Sequence, residues 1–267
     1  MRWIFAFLVV IGLAPAAWAQ DSRLMALSSS QDGRGWEAVG RIDISEGGFC
    51  TGALIRADLV LTAAHCVFGD DGRLIAANRF RFLAGFRSGR AEAYRGVRQV
   101  VAHPNYRHLR VDPTPADVAN DIALLVLDQP IRTTRITPFP VFGHPLGGDE
   151  VGVVSYAKGR ADAPSLQQVC AVLGRQDDVI VLTCNVDFGA SGSPVFMIRD
   201  GVVRLVSVIS AMARLDGAAI SLGVSLDGPL DELLAQLGPT QGARAPNGTR
   251  VITPGQRTET GAKFVRP

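Results

Sequence analysis

Three residues whose side chains can cooperate in nucleophilic catalysis stand far apart in this sequence, in the order His65, Asp121 and Ser191. An imidazole can accept a proton near neutral pH and pass it on, which is what activation of a hydroxyl nucleophile requires. A carboxylate beside the imidazole would select its tautomer and stabilise the imidazolium. An α/β-hydrolase would place its serine first, within Gly-x-Ser-x-Gly, and its histidine last, so the order argues against that fold.

Each of the three residues lies in a short motif. Residues 62–66 read Thr-Ala-Ala-His-Cys, with Cys50 ahead of the preceding predicted strand, and resemble the histidine block of the chymotrypsin and trypsin family of serine endopeptidases. Residues 120–125 read Asn-Asp-Ile-Ala-Leu-Leu and resemble its aspartate block. Residues 189–194 read Gly-Ala-Ser-Gly-Ser-Pro and resemble the nucleophile segment of bacterial members such as the glutamyl endopeptidases. The resemblance extends from about residue 40 to residue 238.

This resemblance implies an endopeptidase that works through an acyl-enzyme, with His65, Asp121 and Ser191 as the catalytic triad. Gly189 would let the backbone turn so that its own N–H and that of Ser191 point at one carbonyl oxygen, forming an oxyanion hole. Peptides or proteins would be the substrates, and neither a cofactor nor a metal is implied. Two alternatives remain on the same scaffold: an esterase with the same machinery, and a non-catalytic binding protein, which is expected to have lost a triad residue.

Other residues of the same types receive weaker interpretations. Asp117 is the alternative to Asp121, although no predicted strand follows it directly. The other histidines, His103, His108 and His144, lie in no comparable motif, and a lone histidine is usually structural or solvated.

The residue before the proposed nucleophile departs from the trypsin-group pattern. That group has an aspartate there, which pairs with the amino terminus released by zymogen cleavage, whereas this chain has Ala190. The usual Ile-Val-Gly-Gly terminus is also missing upstream of Cys50. The two absences agree, because a buried carboxylate without its ammonium partner would cost several kcal/mol. We therefore expect activity that does not depend on a liberated amino terminus.

Substrate preference is harder to infer from the sequence. The family's pocket-base residue lies six positions before the nucleophile, which points to Asn185 and not to an aspartate that would select Lys or Arg. Asp187 is a second possibility, because the cysteines nearby are not placed as in the trypsin group. Ser207 and Ser210 are candidate pocket-wall residues, and the alternative is that they are ordinary strand serines.

Short apolar runs between turn residues recur for about two hundred residues and indicate antiparallel strands. Examples of such runs are residues 53–55, 59–63, 80–84, 97–101, 122–127, 150–155, 167–173, 179–184 and 202–209. One late helix, residues 229–237, begins with a proline, carries one leucine stripe and is followed by Gly238. With the resemblance, the fold class is all-β: two antiparallel six-stranded β-barrels and a C-terminal helix. The peptidase domain would span residues 36–238, with barrel one at about 36–128 and barrel two at about 140–226.

Four cysteines in an exported protein indicate two disulfides, and they allow three connectivities. Cys170 and Cys184 lie symmetrically about Asp177, so equal arms would bring them opposite each other across a hairpin. Cys50 and Cys66 bracket another pair of short strands. We therefore predict the local pairs Cys50 with Cys66 and Cys170 with Cys184.

The two ends of the chain are predicted to lie outside the domain. Residues 1–19 have the positive start, the apolar run and the small-x-small cleavage site of a secretory signal peptide. We therefore expect cleavage near Ala19, a secreted or periplasmic protein without stable membrane insertion, and a flexible segment at residues 20–35. Residues 239–267 hold five basic residues and one acidic residue and predict a disordered tail. The net charge of +2 leaves the domain itself mildly acidic, which does not favour nucleic-acid binding.

Overall fold

The computed structural model describes residues 23–108 and 114–237, so the predicted signal peptide and basic tail lie outside the described residues. Within them the chain is mostly β-strand. The strands of the first half are β1 (Met25–Ala26), β2 (Val39–Ile44), β3 (Phe49–Arg56), β4 (Leu59–Thr62), β5 (Phe80–Ala84), β6 (Ala93–Ala102) and β7 (Ala123–Leu127). Those of the second half are β8 (Glu150–Ala157), β9 (Arg160–Gln176), β10 (Val179–Leu182), β11 (Pro194–Arg199), β12 (Val202–Leu215) and β13 (Ala218–Ser225). The α-helices are α1 (Pro115–Ala119) and α2 (Pro229–Gln236), and no described helix is long and apolar enough to cross a membrane.

Barrel one is a closed barrel with the strand order β2-β3-β4-β7-β6-β5. The predicted strand at residues 80–84 matches β5, whereas β2 is absent from the prediction because Gly40 and Arg41 interrupt its apolar pattern. Gly40 is needed there, since a Cβ at this position would collide with the ring of Phe82. The interior of the barrel is filled by buried aliphatic side chains such as Leu54, Leu61 and Leu125.

The second sheet follows the order β1-β9-β10-β13-β12-β11-β8, and β8 also pairs with β9. Strands β8 to β13 therefore form a continuous ring of six pairings, as expected for barrel two. Strands β11 and β13 were not among the example runs named from the sequence. In β13 small residues alternate with larger ones at the buried positions, and Gly223 must be glycine because a Cβ there would collide with the Ser207 hydroxyl.

The N-terminal segment differs from expectation. Residues 20–35 were expected to be flexible, but Met25 and Ala26 form the seventh strand of the sheet by pairing with Leu166 and Ser165 of β9. The next residue, Leu27, is 1% exposed and its N–H donates to the Pro164 carbonyl. The described part of this segment is thus held by backbone pairing and a buried leucine, which its polar composition concealed.

The two disulfides have the predicted local pairing, Cys50 with Cys66 and Cys170 with Cys184. The second closes the β9–β10 hairpin, whose turn contains Asp177 at a positive φ of 53°. Helix α2 lies close to its predicted bounds and buries Leu230 and Leu233. Tyr156 and Phe196 of the second sheet belong to the same hydrophobic core as barrel one, so the barrels share a packed interface.

Candidate active site

His65 is positioned by the end of strand β4. The chain leaves β4 into a short 3₁₀ helix, Ala64–Val67, and the disulfide from Cys66 ties that turn back to Cys50 on β3. The buried neighbours Ala64 and Val67 anchor the turn, while the His65 side chain keeps 28% of its surface exposed. The backbone of His65 is therefore fixed by the disulfide and the buried neighbours, while its imidazole remains accessible to solvent.

Asp121 lies between α1 and β7 and is 4% exposed. Its Oδ1 accepts the backbone N–H of His65 at 2.7 Å, and its Oδ2 lies 2.7 Å from His65 Nδ1. Burial lowers the pKa of His65, but the charge of Asp121 and its hydrogen bond outweigh that effect, so the pKa of His65 is raised above its usual 6.5. The carboxylate thus orients the ring and favours its protonated form.

Ser210 of β12 completes the surroundings of this carboxylate. Its hydroxyl donates to Asp121 Oδ2 at 2.6 Å. The role of Ser210 as a pocket-wall residue stays a prediction, and its hydroxyl faces Asp121 across a sequence separation of 89 residues. Charged acceptors form stronger hydrogen bonds than neutral ones, which explains the short distance.

Asp117, the alternative to Asp121, has a different position. Its carboxylate accepts the N–H and the hydroxyl of Thr114, which makes a capping box at the start of α1 with Pro115 in the first turn. The apolar pattern did not predict this helix, although the Thr-Pro-x-Asp spacing is a recognised signal for a helix start. Asp117 is therefore a helix cap, and the pairing with His65 belongs to Asp121.

Ser191 lies in the turn before β11, within residues 187–192, which we call the oxyanion loop. Gly189 has a φ of 92°, and a Cβ there would lie 2.5 Å from the ring of Phe49, so only glycine fits. The Ser191 carbonyl accepts the backbone N–H of Thr51 at 2.9 Å, which attaches the loop to β3 of barrel one. The Ser191 hydroxyl has no hydrogen-bond partner among the described residues.

The peptide units of the oxyanion loop have defined orientations. The Phe188 carbonyl accepts the Lys158 N–H at 2.6 Å, and the Ala190 carbonyl accepts the Ser193 N–H at 2.9 Å. Because N–H and C=O point in opposite directions across a trans peptide, the N–H groups of Gly189 and Ser191 point away from these partners. Neither N–H donates a hydrogen bond to any residue within 23–108 or 114–237. Neither N–H is therefore occupied by an acceptor among the described residues, and the oxyanion hole stays a prediction.

The remaining pocket candidates have structural partners. Ser207 is completely buried and its hydroxyl donates to the Val224 carbonyl at 2.8 Å, so the prediction that it lines the pocket is wrong. Asn185 is exposed, and its backbone N–H donates to the side chain of Gln167 at 2.7 Å. Asp187 receives the Phe188 N–H on its carboxylate and the Ala190 N–H on its carbonyl, which stabilises the turn of the oxyanion loop.

One cluster of potential metal ligands occurs among the described residues, formed by Cys50, His65 and Cys66. Its two sulfurs are bonded to each other, so neither is a thiolate that could bind a metal. His103 is 3% exposed and lies 3.2 Å from Glu232 of α2, which fits a structural role.

Two packed β-barrels, a C-terminal helix and a His–Asp pair between the barrels define a chymotrypsin-like fold. A family model described as a trypsin-like peptidase domain matches residues 50–204, more than half of the sequence, so the chain belongs to this family.

Comparisons with individual proteins agree with this classification. The chain is 36% identical to the CLIP domain-containing serine protease HP8 of Bombyx mori over 125 residues, which cover 42% of this chain and 31% of that protein. It is 32% identical to trypsin zeta of Drosophila erecta over 90 residues, 33% of this chain and 28% of that protein. The chain thus spans about a third or less of the length of these curated relatives. A solved structure titled "Structure of Glu endopeptidase in complex with MPD" superposes with a TM-score of 0.66 at 17% identity, covering 82% of this chain and 97% of that one, and shares the fold.

Proposed function

We propose that this protein is a secreted serine endopeptidase that hydrolyses peptide bonds through an acyl-enzyme. The observation that carries the proposal is the pair of 2.7 Å contacts between His65 and the buried carboxylate of Asp121, in a chain of the trypsin-like peptidase family. A buried carboxylate that binds one imidazole nitrogen leaves the other nitrogen to act as a base.

The reaction would follow the acyl-transfer scheme. Ser191 Oγ attacks the scissile carbonyl carbon while His65 Nε2 takes its proton, and Asp121 stabilises the resulting imidazolium. The C–N bond then breaks, and His65 gives the proton to the leaving amine. A water molecule, activated by the same histidine, hydrolyses the ester on Ser191 and regenerates the enzyme. The N–H groups of Gly189 and Ser191 stabilise the oxyanion in both halves of the reaction.

Activity without an amino-terminal ion pair is part of the proposal. Ala190 is 1% exposed and carries no carboxylate that could bind an ammonium group. The carbonyls of Phe188, Ala190 and Ser191 all have backbone partners, which supports a loop ordered by its own hydrogen bonds.

Secretion is supported by the two disulfides, because such bonds persist in oxidising compartments. The predicted signal peptide agrees with this location.

A fluorophosphonate probe tests the proposal, because it reacts with an activated serine. The mature protein should be labelled on Ser191, and Ser191→Ala should abolish labelling. Ser193→Ala is the matched control: its hydroxyl is buried and unpartnered among the described residues, so this variant should still be labelled. A wild-type protein that is folded by circular dichroism but carries no label by mass spectrometry would support the non-catalytic alternative.

A peptide-library cleavage profile would separate peptidase from esterase activity and give the residue preference.

A further inference from the structure

The side chain of Thr51 connects the oxyanion loop to both barrels. Thr51 is fully buried in β3, and its hydroxyl donates to the Gly189 carbonyl at 3.0 Å. The same oxygen accepts the Tyr156 N–H of β8 at 3.0 Å, and the Tyr156 carbonyl lies further away, at 3.4 Å. With its backbone bond to the Ser191 carbonyl, Thr51 holds the residues on either side of Ala190.

The hydrogen bonds from Thr51 act at Gly189, the residue of the loop whose backbone has the fewest intrinsic restraints. Gly189 has no Cβ, and a glycine backbone populates many conformations when nothing restrains it. Rotation of the Phe188–Gly189 peptide would replace the Gly189 N–H by a carbonyl oxygen, which would repel an oxyanion. The Thr51 hydroxyl holds the next peptide unit along the chain, since the Gly189 carbonyl points to Thr51 and the Ala190 N–H points to the Asp187 carbonyl.

The hydrogen bond from the Thr51 hydroxyl to the Gly189 carbonyl differs from the other hydrogen bonds to the oxyanion loop, because a side chain from outside the loop makes it. Within the described part of the chain, Thr51 provides the only side chain from outside residues 187–192 that hydrogen-bonds to residues 188–191. The methyl group of Ala190 forms no such bond, so no charge pair at that position orders the loop. The Thr62 hydroxyl in turn donates to the Thr51 carbonyl at 2.9 Å, which keeps Thr51 in register with the strand that leads to His65.

We propose that Thr51 is a positioning residue that keeps the oxyanion hole open through its hydroxyl bond to the Gly189 carbonyl. This inference rests on the proposed function. Thr51 does not touch the reacting atoms; it acts through Gly189, whose N–H binds the oxyanion.

Thr51→Val tests the inference because it removes the hydroxyl and keeps nearly the same shape. We expect kcat for a peptide substrate to fall about 10- to 100-fold, less than the hundred- to thousand-fold loss of a complete oxyanion donor, with KM within about twofold. Thr51→Ser retains the hydroxyl and should keep kcat within about threefold of the wild type. Tyr156→Phe is the matched control, because the Tyr156 hydroxyl donates to the Phe86 carbonyl across the same barrel interface and not to the loop. Its kcat should stay within about twofold.

Three results would overturn the inference: a Thr51→Val enzyme with unchanged kcat, a Thr51→Ser enzyme as impaired as Thr51→Val, or an equal loss in Tyr156→Phe. The first would show that the loop needs no hydroxyl, and the other two would indicate general packing damage. A wild-type protein that hydrolyses nothing would instead refute the proposed function. The crystal structure of Thr51→Val would still decide the positioning role, since we expect the Gly189–Ala190 peptide, which the hydroxyl holds, to rotate and to shift the Gly189 N–H, and an unchanged loop contradicts the inference.

Discussion

His65 and Asp121, which are 56 positions apart in the sequence, are joined by two contacts of 2.7 Å, one from the backbone N–H and one at Nδ1. The contact at the backbone N–H positions the turn that carries His65 next to Asp121. The contact at the ring determines which nitrogen faces the carboxylate. Together they leave Nε2 as the nitrogen that is available to a nucleophile.

The pH dependence follows from this pair. Only neutral His65 can accept a proton, and its pKa lies above 6.5 because Asp121 outweighs the effect of burial. We therefore expect kcat/KM to rise with pH and to level off above a pKa higher than 6.5. Stability has the opposite sign: a raised folded-state pKa contributes stability below pH 6.5, and this contribution is lost as pH rises through the folded-state pKa. Both are measurable, by kcat/KM profiles and by urea unfolding between about pH 5 and 9.

Asp121→Asn is the variant that checks the origin of this pKa. Without the charge, the acidic limb of the kcat/KM profile should move to lower pH. The value of kcat should fall by about 10⁴-fold, as is typical when the carboxylate of a Ser-His-Asp triad is replaced by an amide. An unchanged acidic limb would assign it to a different group.

Ser210→Ala should weaken catalysis without affecting substrate binding. The variant removes the 2.6 Å hydrogen bond to Asp121 Oδ2, and bonds to charged groups contribute about 1.5–3 kcal/mol. Only part of this should reach the transition state, so we expect kcat to fall about tenfold, or about 1.4 kcal/mol, with KM nearly constant. Ser207→Ala, which removes a buried hydroxyl three residues earlier, should leave kcat unchanged. A raised KM in Ser210→Ala would instead indicate that Ser210 contacts the substrate.

Each disulfide should stabilise the fold by about 3 kcal/mol, because the closed loops have sequence separations of 16 and 14 residues. Replacing both cysteines of either pair by alanine should lower the free energy of unfolding by about that amount, as measured by chemical denaturation. Non-reducing peptide mapping should recover the same pairs, and a link between Cys66 and Cys170 would contradict them.

Blocking the amino terminus should have little effect. Because Ala190 has no carboxylate, acetylation of the mature terminus, or its extension by a few residues, should leave kcat within about threefold, well under the tenfold that about 1.4 kcal/mol produces. The measurement is the maximal hydrolysis rate before and after modification, divided by the active-site concentration from titration. A hundred-fold loss, about 2.7 kcal/mol, would mean that another carboxylate such as Asp187 binds the terminus.

Much of the fold could be predicted from local pattern. Alternating apolar runs indicate strands such as β5, and the proline and leucine spacing indicates α2, because both are governed by residues close in sequence. The pattern failed where buried positions hold small residues, as at Gly40 and Gly223, since close packing of Phe82 or Ser207 requires those glycines. It also failed for β1, whose residues Met25 and Ala26 pair with Leu166 and Ser165 of a strand much later in the chain.

The sequence by itself determined the motifs around His65, Asp121 and Ser191, the two local disulfides and the absence of a carboxylate at position 190, because these depend on residue type and short spacing. Only the tertiary structure decided which hydroxyl serves which acceptor. Ser210 reaches Asp121 across 89 positions and Thr51 reaches Gly189 across 138, while Ser207 is sealed inside the sheet. The physical reason is that a serine or threonine hydroxyl looks the same in the sequence wherever it points, and its partner is determined only when the two barrels pack and bring most buried polar groups to a hydrogen-bonding partner.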